Sequence, residues 1–337
     1  MSEPGYPSGV LATLRRVLAV DAGGSKTDVI LVDEEGQVLA TSRGPGLGHD
    51  QSLDTCMSTL AALVAEVGNP VVAVVAACVA NLDTPEQEEL FAAAVARRGW
   101  GERVLVRNDT YAVLRGGVDG GSRHGIAVVC GSGINCLGVG PDGGTARFLA
   151  FGEHSGDWGG GNDIGRAGLW HASRAEDGRG EPTALRSALL RHLGRKSMRD
   201  VALDLKDGNL TDADVRGCTP VVFEWATGGD PVAVAIVRRQ SDEICAMVRV
   251  VLNRLDLAEV GTTVVLGGGV VTSGHALLVD AVRAGIAGFS PDSTIVVTRE
   301  PPVVGAALLG IDTLGERAPQ AEHRLRSYYR SGITASS

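Results

Sequence analysis

Asp21 closes an apolar run and is followed by Ala22-Gly23-Gly24-Ser25-Lys26-Thr27, after which a second apolar run alternates with period two. This order describes a β-hairpin. Its tip presents the backbone amides of Gly23, Gly24 and Ser25, the Lys26 cation and the hydroxyls of Ser25 and Thr27. Exposed amides beside a cation form an anion cradle. A carboxylate at the end of the first strand is placed to hold a divalent ion beside that anion. Together they suggest a nucleotide triphosphate with magnesium. A plain hairpin loop uses the same residue types, so the segment needs support from elsewhere. A P-loop is excluded, because it requires glycine directly before its lysine and a helix after it. Here Ser25 precedes Lys26 and a strand pattern follows.

Support comes from a repeat. Gly125 to Phe148 runs strand, Gly131-Ser132-Gly133 turn, strand, Asp142-Gly143 turn, strand. The first copy spans Val17 to Ala40, with Asp33-Glu34-Glu35-Gly36 as its second turn. Two copies of one three-stranded meander indicate two similar domains, and two facing hairpins would clamp a nucleotide between them. Gly138-Val139-Gly140-Pro141-Asp142-Gly143 fits the dinucleotide pattern literally. That motif must open a helix, whereas this one turns a hairpin, so a nicotinamide or flavin site is rejected.

Between the repeats the pattern alternates helix and strand. Gln51 to Val67 reads as an amphipathic helix and Val71 to Val79 as a buried strand. A helix follows with Thr84 as N-cap and Pro85 at its first position, ending near Arg98-Gly99. Arg103 to Val106 is a short strand running into Arg107-Asn108-Asp109-Thr110. A carboxylate just past the C-terminal end of a strand in an α/β sheet lies where ligands collect, which makes Asp109 the candidate general base. Capping the helix Tyr111 to Gly116 is its alternative role, and the two can coexist.

Composition agrees with a two-domain α/β enzyme. The 337 residues include 47 glycines and are 44% hydrophobic but only 4% aromatic, enough chain for two full cores. A net charge of −9 argues against non-specific nucleic-acid binding. No apolar stretch reaches the roughly 20 residues that span a bilayer, so no membrane association is expected. The opening residues lack the order of a signal peptide. Cys56, Cys78, Cys130, Cys136, Cys218 and Cys245 are scattered and contain no CxxC pair. Free, buried thiols in a reducing cytoplasm are the expectation.

These motifs resemble the actin, sugar kinase and heat-shock-70 superfamily, and within it the N-acetylglucosamine kinases grouped with the benzoyl-CoA-reductase-type ATPases. DAGGSKTD resembles the first phosphate motif, VVCGSGINC the second and VVLGGGVV (Val264 to Val271) the adenosine motif. RNDTYA resembles the strand-end Asp motif, and PPVVGAALLG (Pro301 to Gly310) the returning terminal helix. The resemblance covers about Val17 to Gly310. It implies two ribonuclease-H-like domains around a central nucleotide cleft. The first would span 15–118, with a helix at about 301–315 packing back onto it, and the second 119–300. Residues 1–14 and 318–337 are expected to be flexible. The implied activity is phosphorylation of a sugar or amino sugar by ATP with Mg2+, in a homodimer.

Carried over by position, Asp21 would hold magnesium through water. Gly23, Gly24, Ser25, Lys26 and Thr27 would contact ATP phosphates from one side, and Gly131, Ser132 and Gly133 from the other. Gly268 and Gly269 would let adenosine lie against the backbone. Asp109 would take the sugar hydroxyl proton, and His49, Asn135, Gly152 and Asp157 would hold the sugar. The substrate half departs from the family pattern. Gly48-His49 stands where an Asn-His pair is expected, Phe151 where a Trp is, and Gly156-Asp157-Trp158-Gly159-Gly160 where Gly-Asp-Glu-Gly-Ser is. Trp158 would either cover the interdomain hinge or stack on a sugar face. Gly120-Gly121 and Gly159-Gly160-Gly161 are candidate flexible points, and Glu176 to Gly180 reads as a solvated helix-ending turn.

Three other classes stay open at this level. One is an ATPase that drives an iron–sulfur reductase or dehydratase, which would need paired cysteines at a subunit interface. Cys130 and Cys136 flank the second hairpin without a cluster spacing. The second is a non-catalytic nucleotide-dependent binding module. The third is the zinc-bearing sugar-kinase group, which would need clustered Cys and His ligands.

Overall fold

The run Val17–Val20 lies in β1 (Arg16–Ala22), and it reads as unbroken hydrophobics because both faces are covered. In the computed structural model, which describes residues 15–48, 51–118, 124–315 and 319–332, β1 pairs antiparallel with β2 (Lys26–Asp33) and parallel with β4 (Val72–Val79). β3 (Val38–Pro45) and β5 (Gly101–Asn108) complete the order β3-β2-β1-β4-β5. β6 (Gly125–Cys130), β7 (Ile134–Val139), β8 (Thr145–Arg147), β9 (Thr263–Gly267) and β10 (Thr294–Val297) form a second sheet of order β10-β9-β6-β7-β8. Read from its meander outward, this is the same topology. The sequence repeat is therefore a repeat of architecture.

Helices α1 (Leu53–Glu66) and α2 (Pro85–Ala96) cover one face of the first sheet. Ser52 caps α1, so that helix starts two residues later than its sequence pattern suggests. At α2 the Thr84 side chain accepts from the Gln87 amide while Gln87 reaches back, a capping box worth about 1 kcal/mol. Helix α3 (Asp109–Gly117) continues directly from β5. Its Val113 and Leu114 pack against Ala127, Leu137 and Val265 of the second sheet, so this helix bridges the two halves.

The second sheet is backed by α4 (Gly160–Asp177), four short helices, and long α9 (Pro231–Arg254). The short ones are α5 (Leu185–Leu193), α6 (Met198–Asp207), α7 (Asp212–Gly217) and α8 (Thr219–Thr227). α10 (Gly269–Thr272) and α11 (Ala276–Ala287) follow β9. Gly178 ends α4 in the left-handed conformation, which agrees with the solvated turn expected there. α12 (Pro302–Leu314) crosses back to pack Val303, Val304 and Leu308 onto the first sheet. A Cβ on Gly305 would lie 1.9 Å from the Ala112 carbonyl, so only glycine lets α12 approach α3 this closely.

The C-terminal segment differs from expectation. Residues 319–330 form α13 (Pro319–Arg330), with Ala321 and Leu325 buried against the first-sheet core. Flexibility was the expectation, but the arginines find half-buried acids. Arg326 bonds Glu322 at 2.7 Å, Glu300, and the carbonyls of Gly116 and Val118. Arg115 pairs with Asp312 and Glu322. Stripping one partner from such a buried cluster costs about 3–5 kcal/mol. Arg330 and Arg115 still reach the orphaned carboxylates, so Arg326→Ala is expected near the lower end, about 3 kcal/mol, in urea unfolding. A loss below about 1 kcal/mol, the level of a surface pair, would make the cluster incidental. The expectations for residues 1–14 and for the hinge at Gly120-Gly121 lie outside the described residues.

Candidate active site

Between the two sheets lies a cavity of about 310 Å3. It is lined by Asp21, Gly23, Gly24, Ser25 and Lys26 from the first hairpin and by Gly131, Ser132 and Gly133 from the second. Asp109, Asn135, Gly152, Asp157 and Gly268 complete the residues that the sequence marked. The chain thus gathers in one place residues as far apart in sequence as Asp21 and Pro302.

The hairpin tips are built to leave amides free. Gly23 closes the first turn by donating to the Lys26 carbonyl at 2.9 Å. In the second, Gly161 and Asn162 at the start of α4 donate to the carbonyls of Gly131 and Ser132 at 2.8 and 2.9 Å. Those bonds turn the carbonyls away. The amides of Gly24, Ser25, Ser132 and Gly133 donate to no acceptor among the described residues. A Cβ on Gly24, Gly131 or Gly133 would meet nothing within 4 Å, and none has positive φ, so the protein itself does not demand glycine there. Gly160 and Gly268 are different: both have positive φ, and a Cβ on each would strike the second hairpin's backbone at 2.4 Å.

Two of the expected residues that the structure describes are not in the cavity wall. Thr27 is fully buried and its hydroxyl donates to the Pro45 carbonyl at 2.8 Å, tying β2 to β3. Its phosphate role is corrected to a structural one, because strand alternation turns it away from the tip. Gly269 opens α10 and does not line the cavity, although space for a ligand adjoins it. His49 lies outside the described residues. Lys26 does line the cavity, but its Nζ is held by Asp28 at 2.9 Å.

Asp109 sits at the first position of α3, where Asn108 caps the helix by accepting from the Thr110 amide at 3.0 Å. The capping alternative for Asp109 is thereby corrected: the residue before it does that work and Asp109 is left for the cavity. Burial raises its pKa to about 6, against the lowering pull of its own and the Thr110 amides. Asp21 is raised further, to about 8, by burial first and then by Asp109 and Asp28. Asp21 lines the cavity and accepts no hydrogen bond from a described side chain, so its carboxyl is open to a cation such as magnesium, which keeps waters and needs only one or two protein carboxylates. Among the described residues no group of three or more His, Cys, Asp or Glu could cage a metal.

Asp157 does double duty. Its backbone amide donates to the Gly152 carbonyl at 2.9 Å and its carboxylate accepts from the Ser155 hydroxyl, which orders the loop, while the residue also lines the cavity. Trp158 does not line it. Its ring packs on the second core beneath Arg239, 4.1 Å from guanidinium carbon to centroid. Cys130 and Cys136 are sealed in the core, where burial holds both thiols protonated.

The sequence reading missed Asp83, Asn81 and Asp163, all of which line the cavity. Asp83 lies in the loop between β4 and α2, beyond Ala80, Asn81 and Leu82, whereas Asp109 follows β5 directly. Asp83 was masked by Thr84-Pro85, whose helix-start signal made the segment read as a cap. Contacts across the two halves also escaped the sequence: Asp83 accepts from Asn135, and Glu88 pairs with Arg147 at 2.8 Å.

Two like sheets facing a cavity edged by two hairpins of free amides define the class: the actin-like ATPase fold. Residues 18–310 match the BadF/BadG/BcrA/BcrD ATPase family, and the chain belongs to that family. It is 27% identical to an N-acetylmuramic acid/N-acetylglucosamine kinase of Clostridium acetobutylicum, over 77% of this chain and 87% of the relative. It is 26% identical to an N-acetyl-D-glucosamine kinase of Dictyostelium discoideum, over 88% and 98%. Among solved structures, a Chromobacterium violaceum protein with a provisional N-acetylglucosamine kinase name aligns with TM-score 0.68 and 25% identity, covering 88% of this chain and 99% of that one. A ROK family glucokinase from Streptomyces griseus shares the fold at TM-score 0.56 and 22% identity, with 88% and 99% covered.

Proposed function

We propose that this protein is an ATP-dependent kinase acting on a hydroxyl of an amino sugar, with N-acetylglucosamine the first candidate. The observation that carries the reading is the single cavity in which Asp109 meets both free-amide hairpins and the Asn135/Asp157 wall. The family and the names of the relatives agree with it. In this reading residues 15–118 with the helix at 302–314 form one domain and 119–300 the other.

Phosphoryl transfer needs little covalent help from the protein; positioning and charge neutralisation dominate. Asn135, Gly152 and Asp157 orient the acceptor, and Asp109 takes the proton of the attacking hydroxyl. Amides of Gly24, Ser25, Ser132 and Gly133 receive the phosphate oxygens, with Lys26 beside them. Asp21 would hold magnesium, which would supply neutralisation of the phosphate charge. Closure of the two halves excludes water as a competing acceptor. An iron–sulfur role is not favoured by two sealed, protonated thiols. No helix of the described residues is long and apolar enough to cross a membrane. A cytoplasmic homodimer is part of the proposal, and sedimentation would test the dimer.

The deciding experiment is an ATP-consumption screen across hexoses, hexosamines and N-acetylated hexosamines, with the phosphorylated product identified. Asp157→Ala sharpens it. Losing a charged hydrogen bond costs about 1.5–3 kcal/mol, so the sugar KM is expected to rise well beyond that of ATP. The Ser155 contact adds some loss of melting temperature. Equal disturbance of both KM values would confine Asp157 to loop order.

A further inference from the structure

Asp83 stands at the meeting of the two halves. It follows β4, one strand over from the strand that delivers Asp109, and it is only 8% exposed while lining the cavity. Its position is locked from three directions. The Gln87 side chain accepts from its backbone amide at 2.8 Å, within the α2 capping box. Asn108, the cap of the Asp109 helix, donates Nδ2 to Oδ1 at 3.0 Å. Asn135, on β7 of the other sheet, donates Nδ2 to the same Oδ1 at 3.0 Å.

Both asparagines use one oxygen. Oδ2 accepts from no donor among the described residues, and Asp83 is part of the cavity wall. A nearly buried carboxylate oxygen with open lone pairs carries a desolvation cost unless a donor meets it. The neighbouring charges do not supply one. Asp109 is an acid, and Arg147 spends its guanidinium on Glu88 and the Leu82 carbonyl. The mobile donors that enter this cavity on the kinase reading are the hydroxyls of the acceptor.

We propose that Asp83 is a further substrate-contact residue, whose Oδ2 accepts a hydrogen bond from a hydroxyl of the acceptor sugar next to the one that reacts. This rests on the sugar-kinase reading. Because Oδ1 is tied to Asn135 across the cleft, Asp83 holds that hydroxyl only while the two halves are together, which links acceptor binding to closure. Burial and then the Asp109 charge raise its pKa to about 7, offset only in part by Arg147 and the two asparagine bonds.

Asp83→Asn isolates the claim. The amide oxygen keeps both asparagine bonds, and only the Oδ2 acceptor becomes a donor. The melting temperature and the KM for ATP are expected to stay unchanged while the sugar KM rises about 10- to 100-fold, the worth of a hydrogen bond to a charged group. Monodeoxy analogues of the accepted sugar locate the partner: one analogue should lose affinity for wild type but not for the variant. Should Asp83→Asn fail to fold, Asp83→Ser keeps one acceptor for the asparagines and is expected to show the same rise. An unchanged sugar KM, or a rise confined to ATP, overturns the proposal. If wild type transfers phosphate to no sugar, the kinase reading itself fails; if it does and the variant matches it, only the role of Asp83 fails.

Discussion

Asp109→Asn is expected to lower kcat by about 10² to 10⁴, the usual worth of a positioned general base, while leaving ATP affinity nearly untouched. The substitution is isosteric, and the helix start does not depend on Asp109, because Asn108 is the cap. Loss of rate would therefore report chemistry and not unfolding. A pH profile gives an independent check. The base works only when ionised, and burial raises Asp109 to about 6. In the free enzyme kcat/KM should therefore fall as pH drops through about 6. Above that value Asp109 is charged and its contribution is complete. In Asp109→Asn the part of the acid limb centred near 6 should vanish from whatever activity is left. Retention of more than half the wild-type rate would remove Asp109 from the role of base.

Gly24→Val and Gly133→Val should each weaken ATP binding sharply, seen by calorimetry, while thermal unfolding stays close to wild type. At both positions a Cβ meets nothing within 4 Å and φ is not positive, so the fold tolerates a side chain. What a valine would fill is the space over the free amides, where phosphate oxygens must approach. Loss of two amide contacts to a charged group amounts to about 3–6 kcal/mol at 1.5–3 kcal/mol each, or more than a hundredfold in affinity. Gly160→Val and Gly268→Val are expected to behave differently. Their positive φ and the 2.4 Å approach to the second hairpin make them destabilising in the absence of any ligand. Unchanged ATP affinity in both Gly24→Val and Gly133→Val would reduce the hairpins to ordinary turns.

Local chemistry made a large part of this molecule legible. The Gly-Gly and Gly-Ser-Gly turns between apolar runs announced two meanders, because turn geometry and strand alternation are encoded within a few residues. Asp21 and Asp109 were readable because each ends a strand, and strand ends are where side chains of an α/β sheet reach a cleft. The α2 start at Thr84-Pro85 was written out in its capping box.

Tertiary structure decided the rest, for reasons that distance along the chain hides. Thr27 shares the hairpin's residue types, yet pairing with β3 turns its hydroxyl onto Pro45, and that register depends on a strand eighteen residues away. The C-terminal stretch 319–330 looks too polar to fold. It forms α13 because Glu300 and Arg115 wait on other elements to neutralise its charges. Asp83 joined the site only once Asn108 and Asn135 converged on it from two sheets. A carboxylate's role is set by which donors surround it and by how much water is kept out. Those are properties of the packed molecule, and no window of sequence contains them.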